Sequence, residues 1–135
     1  MSQKLSCQNC GHKVSTGDKF CSKCGFKITF IQKKHWIAVH TFVNDEARKT
    51  VANAPTITDR QLFEKYDTKK AELLHQWAGN DDFFYCHWFA ETEEDILSAL
   101  DDAGISHLII TMAHEMPRYV SKDNIKDEPL VNPFK

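Results

Sequence analysis

The 135-residue chain is most informative at first for what it does not carry. No apolar run approaches the length of about 20 residues that crossing a bilayer requires, so no membrane partner is expected. There is no glycine-rich phosphate loop, no serine, histidine and aspartate in triad order, and no carboxylate pair at a distinctive spacing. None of the common catalytic motifs therefore names a substrate. No secretory leader precedes the first cysteines, so reduced thiols and a cytoplasmic location are expected rather than disulfides. Excess charge is also missing, with a formal net charge of −2.

What is present is concentrated near the N-terminus. Cys7-Gln8-Asn9-Cys10-Gly11 is answered by Cys21-Ser22-Lys23-Cys24-Gly25. Two Cys-x2-Cys pairs supply four thiolates, the number that fills a closed tetrahedral zinc site. Each glycine follows a second cysteine, where a tight knuckle calls for a residue that tolerates positive φ. Two disulfides or four free thiols are the competing readings, and the absence of a secretory leader weighs against the first. A closed shell leaves no position for water or substrate, so Cys7, Cys10, Cys21 and Cys24 are expected to hold one structural zinc. About 25 residues bury too little apolar surface to fold alone, and ligation on the order of 10 kcal/mol fills that gap. His12 lies beside the first knuckle, outside the completed shell.

On these four cysteines, with Gly11, Phe20 and Gly25, residues 5–28 resemble the short zinc ribbons at the N-termini of many bacterial and archaeal proteins. The expected organisation is a ribbon over residues 1–31, a compact domain over 35–121 and a tail over 122–135. Gln32-Lys33-Lys34 forms a short link with no glycine or proline. Residues 1–34 carry seven lysines and one aspartate, a formal +6, which leaves −8 on the remainder. A bound zinc and four thiolates lower the ribbon to about +4. Such a module suits an acidic protein surface or, weakly, nucleic acid, although lysines that merely solubilise a small module explain the charge more simply.

His35–Val43 reads as a strand with Trp36, Ala38, His40 and Phe42 on one face and Ile37, Val39, Thr41 and Val43 on the other. Asn44 caps a helix over 45–53, which Pro55 ends. Thr58 with Gln61 makes a capping box for a second helix that buries Leu62, Phe63 and Tyr66 and continues through Lys69–Leu74. Leu74–Ala78 and Phe83–Glu91 are strands joined by Gly79-Asn80-Asp81-Asp82. Thr92 caps a helix with Ile96, Leu97 and Leu100 on its apolar stripe and Gly104 just past its end. His107–Ala113, extended to Tyr119, is the last strand. The tail, charged and with two prolines, reads as a free end or a strap on another subunit.

The order is β-α-β-β-α-β, so the fold class expected is α+β, a zinc ribbon plus a ferredoxin-like sandwich. In length and pattern residues 35–121 resemble the dimeric α/β-barrel families of that fold. They are also similar, in element order and in histidines placed on strands, to a small nickel-binding group of ferredoxin-like proteins. The resemblance implies strand order 4-1-3-2 and two sheets paired face to face in a homodimer. It also places His114, His40, His87 and His75 one to each strand, where they could form a pocket with Tyr85, bind a transition metal or act as acid/base groups. Half-buried strand histidines, each with one hydrogen bond, or residues of a dimer interface are the alternatives. Cys86 is read as a small core residue, because its neighbour His87 must point to the opposite face. Three functional readings follow. The first is a non-enzymatic adaptor that docks on a larger protein complex. Behind it stand a small enzyme or ligand sensor using the histidine pocket, and a weak nucleic-acid binder.

Overall fold

The computed structural model describes residues 5–7, 9–15, 18–28 and 32–135. The chain divides into two compact units, residues 1–31 and 32–135. In the first unit, β1 (Leu5–Ser6) pairs antiparallel with β2 (Lys13–Val14). A single bridge joins Phe20 to Lys27, and the Ile28 amide donates to the Lys19 carbonyl at 2.9 Å. The strand expected over Phe26–Ile31 is thus one bridge in its described part, and residues 29–31 lie outside the described residues. Cys7, Val14 and Cys21 are buried together, with Ile28 packed against them. So small an apolar cluster cannot hold a fold by itself.

The second unit is a four-stranded antiparallel sheet with helices on one face. Its strands are β3 (Lys34–Phe42), β4 (Ala71–Ala78), β5 (Phe83–Ala90) and β6 (Ile109–Glu115). Across the sheet they run β4-β5-β3-β6, all antiparallel. Helices α1 (Asp45–Ala52), α2 (Asp59–Tyr66) and α3 (Glu93–Asp102) each begin at a side-chain cap. Asn44 accepts from the Ala47 amide at 2.8 Å, and Thr92 accepts from the Asp95 amide at 3.2 Å. Thr58 and Gln61 bond reciprocally, at 3.1 and 2.9 Å, satisfying two amides that the first turn leaves unpaired. Gly104, at φ +76°, ends α3 in the left-handed conformation.

Alternation along the strands sets the two sheet faces. Trp36, Ala38, His40 and Phe42 face the helices with Phe84, Cys86, Trp88 and Ala90, packing against Leu62, Phe63 and Tyr66 of α2 and Ile96, Ala99 and Leu100 of α3. Trp88 and Ile96 are wholly buried. Burying a side chain of that size contributes roughly 2–3 kcal/mol. Two polar atoms in this layer, His40 Nε2 and Trp88 Nε1, have no protein partner among the described residues. Both residues border a cavity of about 10 Å3, the room of one water molecule.

Several boundaries differ from the sequence reading, most of them by one residue. Lys69–Leu74 is not helical. The Asp67 carboxylate accepts from the Leu73 amide at 2.8 Å and the Thr68 hydroxyl from the Ala71 amide at 3.0 Å, which turns the chain into β4 three residues early. Strand β3 starts at Lys34, which shortens the expected link. The last strand begins after a 3-10 turn over Ser106–Leu108, where the Leu108 amide donates to the Ile105 carbonyl, and it stops at Glu115 rather than Tyr119. Beyond it, residues 116–135 are irregular. No helix among the described residues is long and apolar enough to cross a membrane.

Candidate functional site

The cysteines are positioned by two turns of the same build. The Gly11 amide donates to the Cys7 carbonyl at 2.9 Å and the Gly25 amide to the Cys21 carbonyl at 2.8 Å, with both glycines at φ +77°. A side chain at either glycine would be strained there. The turns bring all four sulfurs within 4.8 Å of one another. Cys7 and Cys24 Sγ lie 3.6 Å apart, and Cys10 and Cys21 Sγ 3.7 Å. A tetrahedron with zinc–sulfur bonds of about 2.3 Å has edges of about 3.75 Å, so the sulfurs already stand at ligand spacing.

Hydrogen bonds tune the donors. The Asn9 amide donates to Cys7 Sγ at 3.4 Å and the Asn9 side chain to Cys24 Sγ at 3.6 Å. Chiefly through Asn9, and then through the Phe26 amide, the Cys24 thiol is lowered to about 6. Cys10 is raised to about 11: an amide bond at His12 lowers it, but desolvation and the three neighbouring sulfurs outweigh that. A divalent cation replaces the shared protons, so binding releases protons and ties folding of the unit to the metal. The ribbon holds one structural zinc on Cys7, Cys10, Cys21 and Cys24, with no ligand position left open.

The strand histidines are placed differently from the sequence reading. His40 faces the helices, wholly buried, with Nδ1 2.8 Å from the Thr111 hydroxyl and its ring against Phe84. Burial lowers its pKa to about 4, which keeps it neutral. His114 is on the opposite face, in register with Ile37, which is in turn in register with His87. Ile37 therefore separates His114 from His87 by two strand spacings, about 10 Å. Tyr85 is on this open face too, beside Phe83, and is exposed. The pocket expected to join His40, His75, His87, His114 and Tyr85 is not formed: the small cavity under the helices takes only His40 of these.

His75 and His87 do meet, and the third member of their group is His35, which the sequence reading left out. His87 Nδ1 lies 2.8 Å from His75 Nδ1, and His87 Nε2 lies 2.8 Å from His35 Nδ1. The three rings form a hydrogen-bonded row, in which the His75 and His87 rings are nearly parallel, at an interplanar angle of 7°. Tyr119 of the C-terminal segment covers the row, its ring 4.4 Å from that of His87 and 4.8 Å from that of His35. Burial, then the proximity of His35 and His75, lowers the His87 pKa to about 4. A row uses both nitrogens of its middle ring, so its donors do not converge on one point. Among the described residues the four cysteines are the one cluster of at least three donors close enough to share an ion. Cys86 is buried on the helix face, with its thiol raised to about 12 by burial, and is chemically quiet. Alternation along β3 was the available signal for His35, since it shares a face with Ile37.

The zinc-ribbon domain family model matches residues 6–28, the segment that carries all four cysteines. No curated protein and no solved structure matches the chain.

Proposed function

We propose that the chain is an adaptor of the cytoplasm, whose ribbon docks on a larger protein and whose second unit self-associates. The observation that carries this reading is the surface of the ribbon. Phe20 and Phe26 are 59% and 42% exposed, and they stand beside exposed Lys19, Lys23 and Lys27. A module rigidified by a closed metal site that shows two phenylalanines among lysines suits an acidic protein surface with an apolar cleft. Affinity capture from the source cell separates the possibilities. Wild type should retain a defined protein partner that Phe20→Ala and a Lys19→Glu, Lys23→Glu double variant both lose. Retention that disappears on nuclease treatment would replace the adaptor with a nucleic-acid binder.

For residues 35–121 we infer a ferredoxin-like arrangement, supported by the element order and by the sheet order β4-β5-β3-β6, which is 4-1-3-2 read from the other edge. The face away from the helices bears Trp77, Phe83, Tyr85, Ile110 and Met112, each at least 39% exposed. That much apolar surface is more than monomers usually show to water. A second copy of the same face is its simplest cover, at about 800 Å2 per chain for a stable pair. Sedimentation across a range of concentrations should show a dimer. A strict monomer at high micromolar concentration overturns the self-association.

A further inference from the structure

The second unit also holds a cavity of about 840 Å3, walled by His35, Leu74 and His75 on the sheet side and by residues 117–121 and 123–131 on the other. That volume is in the range of small-molecule sites. The two ends of the imidazole row, His35 and His75, border it, whereas the middle ring, His87, is 2% exposed. Each N···N contact in the row takes one proton. Three neutral rings thus have two hydrogen-bonding patterns, and either end can present an accepting Nε2.

Charge and apolar surface narrow the choice of ligand. Arg118 and Lys126 border the cavity, and neither has an ion-pair partner among the described residues, where the pairs are Lys33–Glu72, Lys34–Glu115 and Arg48–Asp82. Asp123, Asp127 and Glu128 border it as well. At His35, however, the charge that acts is Lys126, which lowers the pKa in addition to burial. The rings of Phe89 and Tyr119 also lie against His35, each 4.8 Å away. Ile125, Leu130 and Val131 border the same cavity and are 67%, 61% and 56% exposed. The cavity therefore combines a lysine that acts on a proton-accepting imidazole with an uncovered apolar wall.

We propose that this cavity binds a small monocarboxylic acid with an apolar body, its carboxylate between Lys126 and His35, and that binding takes up a proton from solvent onto the imidazole row. The carboxylate contributes one negative charge and the proton one positive charge, so the complex gains no net charge. Once the row carries that proton, the His87 ring donates from both nitrogens, both end rings carry a hydrogen on Nε2, and His35 can donate to the carboxylate. The carboxylate also offsets the repulsion between Lys126 and a protonated His35.

The test uses the full chain with benzoate as probe and benzylamine as control. Calorimetry in two buffers of different ionisation heat should show one benzoate per chain, with proton uptake and with affinity that rises as pH falls toward about 6. The His35 and Tyr119 ring resonances should move on titration. Lys126→Gln should weaken binding about tenfold. His87→Gln should leave benzoate bound while abolishing proton uptake. His75→Gln, at the exposed end of the row, gives a second reading of the same loss outside the core. Unmoved ring resonances at millimolar benzoate, a preference for benzylamine, or proton uptake unchanged in both histidine variants would each overturn the proposal.

Discussion

Acid should unfold the second unit through histidines that the native structure keeps neutral. His40 titrates at about 4 when buried, against 6.5 as its ordinary value, and His87 is lowered for a related reason. Between these two values the unfolded chain binds protons that the native chain refuses. Stability is therefore whole above about pH 6.5 and falls as pH drops toward 4. For His40 the loss over that window is on the order of 3 kcal/mol, and each such group steepens the fall by about 1.4 kcal/mol per pH unit. Urea titrations followed by tryptophan fluorescence, repeated across the window, measure it. All three tryptophans, Trp36, Trp77 and Trp88, lie in the second unit, so zinc loss from the ribbon does not enter the signal. His40→Gln removes the titrating ring and should reduce the slope by about 1.4 kcal/mol per pH unit, whatever it does to stability at neutral pH. A variant whose stability falls with pH as steeply as wild type refutes the argument.

Cys24→Ser should abolish the single equivalent of zinc and unfold the ribbon while the tryptophan-detected melt is unchanged; a lost or shifted melt shows that the units do not fold independently. Trp88→Ala removes the largest wholly buried side chain and should cost about 3–5 kcal/mol in denaturant midpoint and slope. Thr92→Ala leaves the Asp95 amide without its cap and should cost about 1 kcal/mol, read in the same assay. Any affinity for nucleic acid should weaken steeply with salt, with a log–log slope no larger than about 4, because a ribbon surplus of about four charges neutralises few phosphates. Tight, sequence-selective binding at physiological salt contradicts that expectation.

Much of the zinc site was legible because its determinants are local. Cys-x2-Cys-Gly fixes a turn, a ligand pair and a backbone conformation within five residues, and the structure reproduces all three at Gly11 and Gly25. The helix starts were legible for the same reason, since Asn44, Thr58 and Thr92 each act within three residues of themselves. The start of β4 was not. The side chains that end α2 there, Asp67 and Thr68, reach forward six and three residues, and the apolar content of Lys69–Leu74 fits a helix or a strand equally well.

The histidine row shows why partners across a sheet are harder to read than motifs along a chain. Ala71, Leu73 and His75 share a parity, so strict alternation would bury His75 with the other two. Between Leu73 and His75 the register shifts: Leu73 pairs with Trp88 and His75 with His87, two residues on β4 against one on β5. That bulge resets the alternation. It sends Gln76 inward, where its side-chain amide reaches the Cys86 sulfur at 3.7 Å, and turns His75 outward onto His87. His35 arrives from β3 by ordinary alternation, and Tyr119 closes the row from beyond the last strand. Of the four rings, two are placed by parity, one by an irregularity of a single residue and one by a segment with no periodic structure. A cluster so assembled has no spacing in the sequence to announce it, and the extra residue in β4 is the feature that makes it possible.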